Sequence, residues 1–76
     1  MEERLDGLKP GKEGVVKRVS SGGVLKKRLL DMGIVPGCSL EVLRTAPLGD
    51  PVEVRIRGYN LSLRKEEAVR VYVEVL

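Results

Sequence analysis

The sequence predicts a mainly β domain in which five short strands form a small barrel with one inserted short α-helix. The first observation is an aliphatic composition, with 12 valines, 11 leucines and 2 isoleucines among 76 residues and two aromatic residues, Tyr59 and Tyr72. Valine packs well on a pleated sheet, so a valine-rich core favours strands. The second observation is a recurrent alternation of apolar and polar residues, and the third is one segment with a helical period.

Strand-like segments recur along the chain between turn-forming residues. Residues 52–57 place valine or isoleucine at every second position, with Glu53, Arg55 and Arg57 between them. This alternation is typical of a strand with one buried face. The predicted strands span residues 14–19, 39–44, 52–57, 61–63 and 69–75.

The helix is predicted over residues 24–32. Its apolar stripe consists of Leu25, Leu29 and Met32. Gly33 follows, where a left-handed C-terminal cap favours glycine, and Pro36 prevents continuation of the helix. A serine at position 20 or 21 is available to cap the first turn. A further single helical turn is predicted over residues 64–68.

The strands and the helix together predict the architecture. An open five-stranded sheet would leave one apolar face in water, and closure into a small barrel removes that exposure. The expected fold is therefore a five-stranded, SH3-like barrel, formed as a single domain over residues 1–76, with the helix plugging one end. Residues 5–10 form a lead-in anchored by Leu5 and Leu8, and residues 46–51 form a loop rich in turn formers. An exposed edge between the last strand and its neighbour would allow self-association.

The side-chain chemistry limits the functions open to this chain. It contains no histidine and one cysteine, Cys38. An internal disulfide, a zinc site of the cysteine–histidine type and a histidine-based catalytic triad therefore cannot be built. We expect no enzyme activity, no catalytic residue, no cofactor and no metal site, and we expect Cys38 to be a small buried apolar residue.

Charge and hydropathy point to a cytoplasmic protein. The 14 basic and 11 acidic residues give a net charge of +3, which is too mild to indicate a nucleic-acid partner. No apolar stretch approaches the ~18 residues that a membrane-spanning helix needs. The first six residues contain no apolar signal core.

Residues 27–37, Lys-Arg-Leu-Leu-Asp-Met-Gly-Ile-Val-Pro-Gly, resemble the helix-and-turn signature of the FeoA family. The resemblance extends over residues 5–75. Its further matching pieces lie at residues 46–51, 54–59, 61–64 and 66–68. The resemblance implies an SH3-like barrel with an inserted helix and a cytosolic role in bacterial ferrous iron transport. It also implies a partner, the membrane permease FeoB, which has a cytosolic GTPase-like domain.

The resemblance to the FeoA family also implies transition-metal binding. Ferrous iron in proteins is usually held by imidazole, carboxylate or thiolate groups. This sequence offers carboxylates and a single thiol, and its adjacent carboxylate pairs at residues 2–3 and 66–67 diverge from each other. The residues therefore predict a docking module rather than a metal carrier.

Four residues are candidates for binding a partner. Leu30 lies off the stripe of the helix, and Leu48 lies at the centre of a loop with prolines on both sides. Arg55 and Arg57 form a basic stripe on a predicted strand. The alternatives are that both leucines lie in the core and that both arginines are ordinary solvated side chains.

A second resemblance gives the alternative function. Residues 9–19 resemble the KOW-type start of small ribosomal and transcription-factor barrels, in which a basic loop meets RNA backbone. The chain lacks the phenylalanine or tryptophan platform on which such proteins stack bases. A KOW-like RNA-binding module remains the alternative to docking on a transporter.

Overall fold

The computed structural model describes residues 1–20 and 22–76, and within them it contains six strands and two α-helices. The strands are β1 (Glu2–Arg4), β2 (Glu13–Val19), β3 (Ser39–Thr45), β4 (Val52–Ile56), β5 (Tyr59–Leu63) and β6 (Val71–Val75). The helices are α1 (Gly23–Asp31) and α2 (Lys65–Ala68), and a short 3₁₀ turn spans Leu5–Gly7. All strand pairs are antiparallel, in the order β1-β6-β2-β3-β4-β5.

The predicted class, a mainly β SH3-like fold with one inserted helix, is confirmed, but the strand count of five is wrong. The additional strand is β1, whose residues Glu-Glu-Arg are all exposed. An edge strand pairs through its backbone with β6, so its side chains need not alternate. The predicted exposed edge at the last strand is also wrong, because β6 lies between β1 and β2. Within the described residues the edges are β1 and β5, and no hydrogen bonding between them closes the sheet.

Three predicted strand boundaries shift where a turn lies within or beside the alternating residues. Arg57 was predicted as the last residue of a strand, but it and Gly58 form the turn between β4 and β5. Both have positive φ, 52° and 84°, as a two-residue type I′ hairpin turn requires. Tyr59 lies before the strand that was predicted over residues 61–63, but it is the first residue of β5. Residues 69–70 follow α2, and their backbone N–H groups donate hydrogen bonds to carbonyls of that helix, so β6 begins at Val71.

One cluster of aliphatic side chains forms the core on the inner face of the sheet. Its fully or nearly buried members from the strands are Val16, Val19, Leu40, Val42, Val52, Val54, Ile56, Leu63, Val71 and Val73. Leu5 and Leu8 are buried as the lead-in anchors. From α1, Leu29 is completely buried, and Leu25 and Met32 pack against the cluster from its margin. The stripe predicted for the helix is thus its core-facing side. The predicted serine cap depends in part on Ser21, which lies outside the described residues.

A buried carboxylate joins the two helices. Glu67 in α2 is 3% exposed at its side chain, and its Oε2 lies 3.3 Å from Nε of Arg28 in α1. Its Oε1 accepts a hydrogen bond from the backbone N–H of Arg64 at 2.9 Å. The helical turn predicted over residues 64–68 therefore carries a buried carboxylate. The arginine is half-exposed, so it neutralises the carboxylate from the solvent side.

Replacing Arg28 by alanine is expected to lower the free energy of unfolding by about 1–3 kcal/mol, because Glu67 would remain buried without a cation. Chemical denaturation of the variant measures this loss. Lys27→Ala is the matched control, since Lys27 is exposed in the same helix and forms no ion pair with any described residue. Equal stability of the two variants would contradict a stabilising role for the Arg28–Glu67 pair.

Candidate docking surface

The loop between β3 and β4, residues 46–51, is held in place by hydrogen bonds at three points. The Ala46 N–H donates to the Pro51 carbonyl at 3.0 Å, and the Gly49 N–H donates to the Ala46 carbonyl at 2.7 Å. The Asp50 carboxylate accepts from the backbone N–H of Lys65 at 3.0 Å, which fastens the loop to the start of α2. Pro47 and Pro51 restrict the backbone further. The loop therefore presents its tip on a rigid base.

That tip is Leu48, whose side chain is 90% exposed. A shallow depression of about 270 Å³ lies on one side of the loop, lined by loop residues together with Arg44, Glu53 and Ser62. A wider one of about 640 Å³ also borders the loop, where Arg64 and Glu66 line it together with Asp50 and Pro51. We call this region, residues 46–51 with those five flanking side chains, the loop surface. It contains one large exposed apolar side chain, that of Leu48, and four charged flanking side chains.

The charges around the loop surface are paired at the protein surface. Arg44 lies 3.2 Å from Glu53, and Arg64 lies 3.7 Å from Glu66. Exposed pairs of this kind stabilise little and can exchange partners at low cost.

Outside the loop surface, the α-amino group of Met1 donates a hydrogen bond to the Glu74 carboxylate and holds the pKa of that carboxyl below its ordinary value.

The other predicted partner-binding residues lie away from Leu48. Arg55 is exposed on β4, 3.9 Å from Glu41. Arg57 lies in the turn at the opposite end of β4 from the loop. Leu30 is half-buried near the end of α1. The Tyr59 hydroxyl, at the start of β5, donates a hydrogen bond to the carbonyl of Met32, just after α1, at 2.8 Å. The structure therefore separates Leu48 from Leu30 and Arg57 rather than joining all four residues in one patch.

Cys38 is nearly buried, with 9% of its surface exposed, at the turn that precedes β3. One guanidinium N–H of Arg57 donates to its Sγ at 2.9 Å. Sequence reasoning missed this contact because the two residues are distant in the chain and Arg57 was assigned to a strand. The contact accounts for the orientation of Arg57 across the start of β3.

The carboxylates and the thiol do not assemble a metal site in the described part of the chain. No group of three or more histidine, cysteine, aspartate or glutamate side chains lies close enough to hold one ion. Glu67 is occupied by Arg28 and by the Arg64 backbone, whereas Glu66 points to Arg64 at the surface. The residues present therefore do not fit the transition-metal binding that the FeoA resemblance implies.

A sequence model described as the FeoA domain matches residues 3–75. The chain belongs to the FeoA family. A curated relative from Porphyromonas gingivalis (strain ATCC BAA-308 / W83), named as a fusion of Fe(2+) transport protein A and the Fe(2+) transporter FeoB, is 47% identical over 73 residues. That match covers 96% of this chain and 9% of the fusion protein, so the chain spans a small part of that relative's length.

Solved FeoA structures have the same fold. The crystal structure of an iron uptake regulatory protein named FeoA is 30% identical and covers 100% of both chains, with a TM-score of 0.93. FeoA from Stenotrophomonas maltophilia, described as a prokaryotic SH3 domain protein and crystallised with zinc, is 28% identical with a TM-score of 0.81. The second match covers 97% of this chain and 89% of that one. The names of these relatives link the FeoA family to ferrous iron transport, and the FeoA resemblance of the sequence is confirmed.

In the described part of this FeoA chain, no helix is both long and apolar enough to cross a membrane. The longest, α1, has nine residues and carries Lys26, Lys27 and Arg28. The FeoA-like signature of residues 27–37 corresponds in the structure to the second half of α1 and the turn before β3. Its function in the fold is thus to end the helix and start the next strand.

Proposed function

We propose that this chain is a non-enzymatic accessory or regulatory domain of bacterial ferrous iron uptake that docks on the cytosolic part of FeoB. The observation that carries the proposal is the Porphyromonas gingivalis protein, in which a domain 47% identical to this chain is named as part of one polypeptide with FeoB. Fusion places two domains at high effective concentration. Where a FeoA domain and FeoB are not linked in this way, a docking surface is needed to bring them together.

The proposal assigns the chain to the cytoplasm and its contact to the GTPase-type region of FeoB. A docked protein changes transport only if it binds one state of the transporter more tightly than another. Such an effect requires recognition and no chemical step. It is therefore compatible with a chain that has no histidine and whose described residues assemble no metal cluster.

Leu48 is the proposed principal anchor, because a rigid loop loses little conformational entropy when it binds. An apolar side chain at the centre of a contact, surrounded by polar residues, is the usual arrangement of an interface hot spot. Leu30, Arg55 and Arg57 are proposed as further contacts on a second part of the surface. Their distance from the loop means that a partner touching all four residues must extend along β4.

The RNA-binding alternative receives less support from the placement of the aromatic residues. Tyr72 is covered by the guanidinium of Arg18, which lies 3.9 Å from the ring centroid. Tyr59 is fixed by its hydrogen bond to the Met32 carbonyl. Single-stranded nucleic acid is bound by aromatic rings that are free to stack on bases. Both tyrosines of this chain are already engaged.

The functional test is FeoB-dependent uptake of ferrous iron in cells that carry FeoB of the same organism and lack this chain. Uptake is expected to fall without the chain and to recover with the wild type. Leu48→Ala is expected to restore it less well, while its free energy of unfolding stays within about 0.5 kcal/mol of wild type because the side chain is already in water. Ser39→Ala, an exposed substitution outside the proposed contacts, is the control. Uptake that is the same with and without the chain would overturn the proposal.

A further inference from the structure

The outward side of α1 carries two lysines without an ion pair and one exposed apolar residue. Leu25 and Leu29 pack on the core, so Val24 and Lys27 lie on the side of the helix away from it and Lys26 lies on the flank. Both lysines are exposed, and neither forms an ion pair with any described residue. Val24 is 86% exposed, and nothing in the fold requires an apolar residue there.

Arg70 adds a third cation beside the start of α1. The Ser20 N–H, three residues before the helix, donates to the Arg70 carbonyl at 2.8 Å. The Arg70 side chain is exposed and forms no ion pair within residues 1–20 and 22–76. The one acidic residue of α1, Asp31, is its last residue and is not paired with Lys27. We call the following residues the basic face: Val24, Lys26, Lys27 and Arg70.

A bilayer with anionic headgroups fits this combination of side chains. Lysines on flexible stems are attracted to a negative surface without needing a fixed geometry. An exposed apolar side chain beside them can enter the boundary between headgroups and acyl chains. On a nucleic acid Val24 would remain in water, and the rings of Tyr59 and Tyr72 are already engaged within the fold. Charge and apolar surface together therefore favour a lipid surface.

The basic face and the loop surface lie at opposite ends of α2. Asp50 of the loop accepts a hydrogen bond from the N–H of Lys65, the first residue of α2. Arg70 comes two residues after the end of that helix, and the Arg28–Glu67 pair joins α2 to α1. The two surfaces are thus separate, so contact of the loop with a membrane permease leaves the basic face free to meet the surrounding bilayer.

We propose that the basic face binds a membrane surface that carries anionic lipid headgroups. Lys26, Lys27 and Arg70 lie against the headgroups, and Val24 enters the interface. Each basic residue adds about fivefold to the affinity, so the contact is weak and orients the chain on the bilayer rather than anchoring it. The inference rests on the proposed function for what brings the chain to a membrane, whereas binding to lipid needs no FeoB.

The test is sedimentation of the full purified chain with vesicles of phosphatidylglycerol and phosphatidylcholine in equal parts, and with vesicles of phosphatidylcholine alone. Binding is expected to the anionic vesicles only, at about 20 mM salt, and it should be lost near 0.5 M salt because the charges are then screened. The double variant Lys26→Ala/Lys27→Ala should lower the partition coefficient by about 25-fold, or fivefold for each lysine.

The matched control is Lys9→Ala/Lys12→Ala. Either double variant leaves 12 basic and 11 acidic residues, so the net charge falls from +3 to +1 in both. Lys9 and Lys12 are exposed before the start of β2, whereas α1 follows the end of that strand. The control should change the partition coefficient by less than about threefold. Equal losses in the two variants would show attraction by net charge alone and would overturn the inference.

A fluorescent reporter locates the contact. The chain contains no tryptophan, so Val24→Trp introduces a single one. Its emission should shift to shorter wavelength on the anionic vesicles, whereas the emission of Leu48→Trp should not. No binding to the anionic vesicles, or a shift in Leu48→Trp alone, would overturn the inference. So would tighter binding to polyuridylic acid that is lost in Lys26→Ala/Lys27→Ala, because the face would then be a nucleic-acid site.

The lipid contact and the docking on FeoB fail separately. Lys26→Ala/Lys27→Ala should still bind the soluble cytosolic region of FeoB, and Leu48→Ala should still bind the anionic vesicles. Wild-type chain that binds FeoB but not vesicles would overturn the lipid contact alone. Wild-type chain that binds vesicles through the basic face but does not bind FeoB would overturn the docking alone.

Discussion

Replacing Leu29 by alanine is expected to lower the free energy of unfolding by about 2–5 kcal/mol. Leu29 is completely buried and is the one residue of α1 that reaches the centre of the core. The substitution removes apolar contacts and leaves a cavity that the surrounding strands can fill only in part. A domain of this size has a total stability of roughly 5 kcal/mol, so the variant should be close to unfolding at 37 °C. Urea denaturation followed by circular dichroism measures the loss.

The control for Leu29→Ala is Leu48→Ala, the same chemical change at a side chain that is 90% exposed. It should leave the melting temperature within about 3 °C of wild type. A large and equal loss in both variants would mean that the loop leucine is part of the core. A small loss of stability in Leu29→Ala would mean that α1 contributes little to the stability of the fold, and this would contradict the packing described above.

Replacing Gly33 by alanine is expected to destabilise the domain by about 2–3 kcal/mol, for two separable reasons. Gly33 has φ of +99°, which is strained for any residue with a Cβ, at a cost of about 1–2 kcal/mol. A Cβ there would also lie 2.5 Å from the Tyr59 hydroxyl. That hydroxyl would have to leave the Met32 carbonyl, at a further cost of about 1 kcal/mol.

Gly37→Ala separates the two contributions. Gly37 has a φ of +94°, but an added Cβ would meet no atom within 4 Å, so this variant carries the backbone strain alone. The excess cost of Gly33→Ala should disappear in a Tyr59→Phe background, which has no hydroxyl to displace. If the two glycine variants are equally unstable in both backgrounds, the contact between the helix end and β5 contributes nothing to stability.

Much of the fold could be predicted because most strands have one buried face. Val52, Val54 and Ile56 alternate with charged residues, and all three are buried as the pattern requires. β1 could not be predicted in this way, because both of its faces are exposed and only its backbone pairing with β6 defines it. Arg57 was misplaced because alternation continues through it, and a non-glycine residue with positive φ gives no signal in the pattern.

The candidate surface was predictable in part. The loop composition identified Leu48 as an apolar residue between turn formers, and the structure places it at an exposed tip. Two contacts had no signal in the sequence. These are the Arg28–Glu67 pair, which joins residues 39 positions apart, and the Arg57–Cys38 hydrogen bond. Both depend on which elements the fold brings together, and local charge patterns do not carry that information.

The most direct test of the docking account is a binding titration between this purified chain and the purified cytosolic region of FeoB at physiological salt. Saturable binding is expected, and Leu48→Ala should weaken it by about 1–2 kcal/mol, or roughly 5- to 30-fold in Kd, without loss of stability. A Leu48→Ala variant that binds as tightly as wild type would remove the loop from the interface. The absence of saturable binding by the wild-type chain would contradict the account itself.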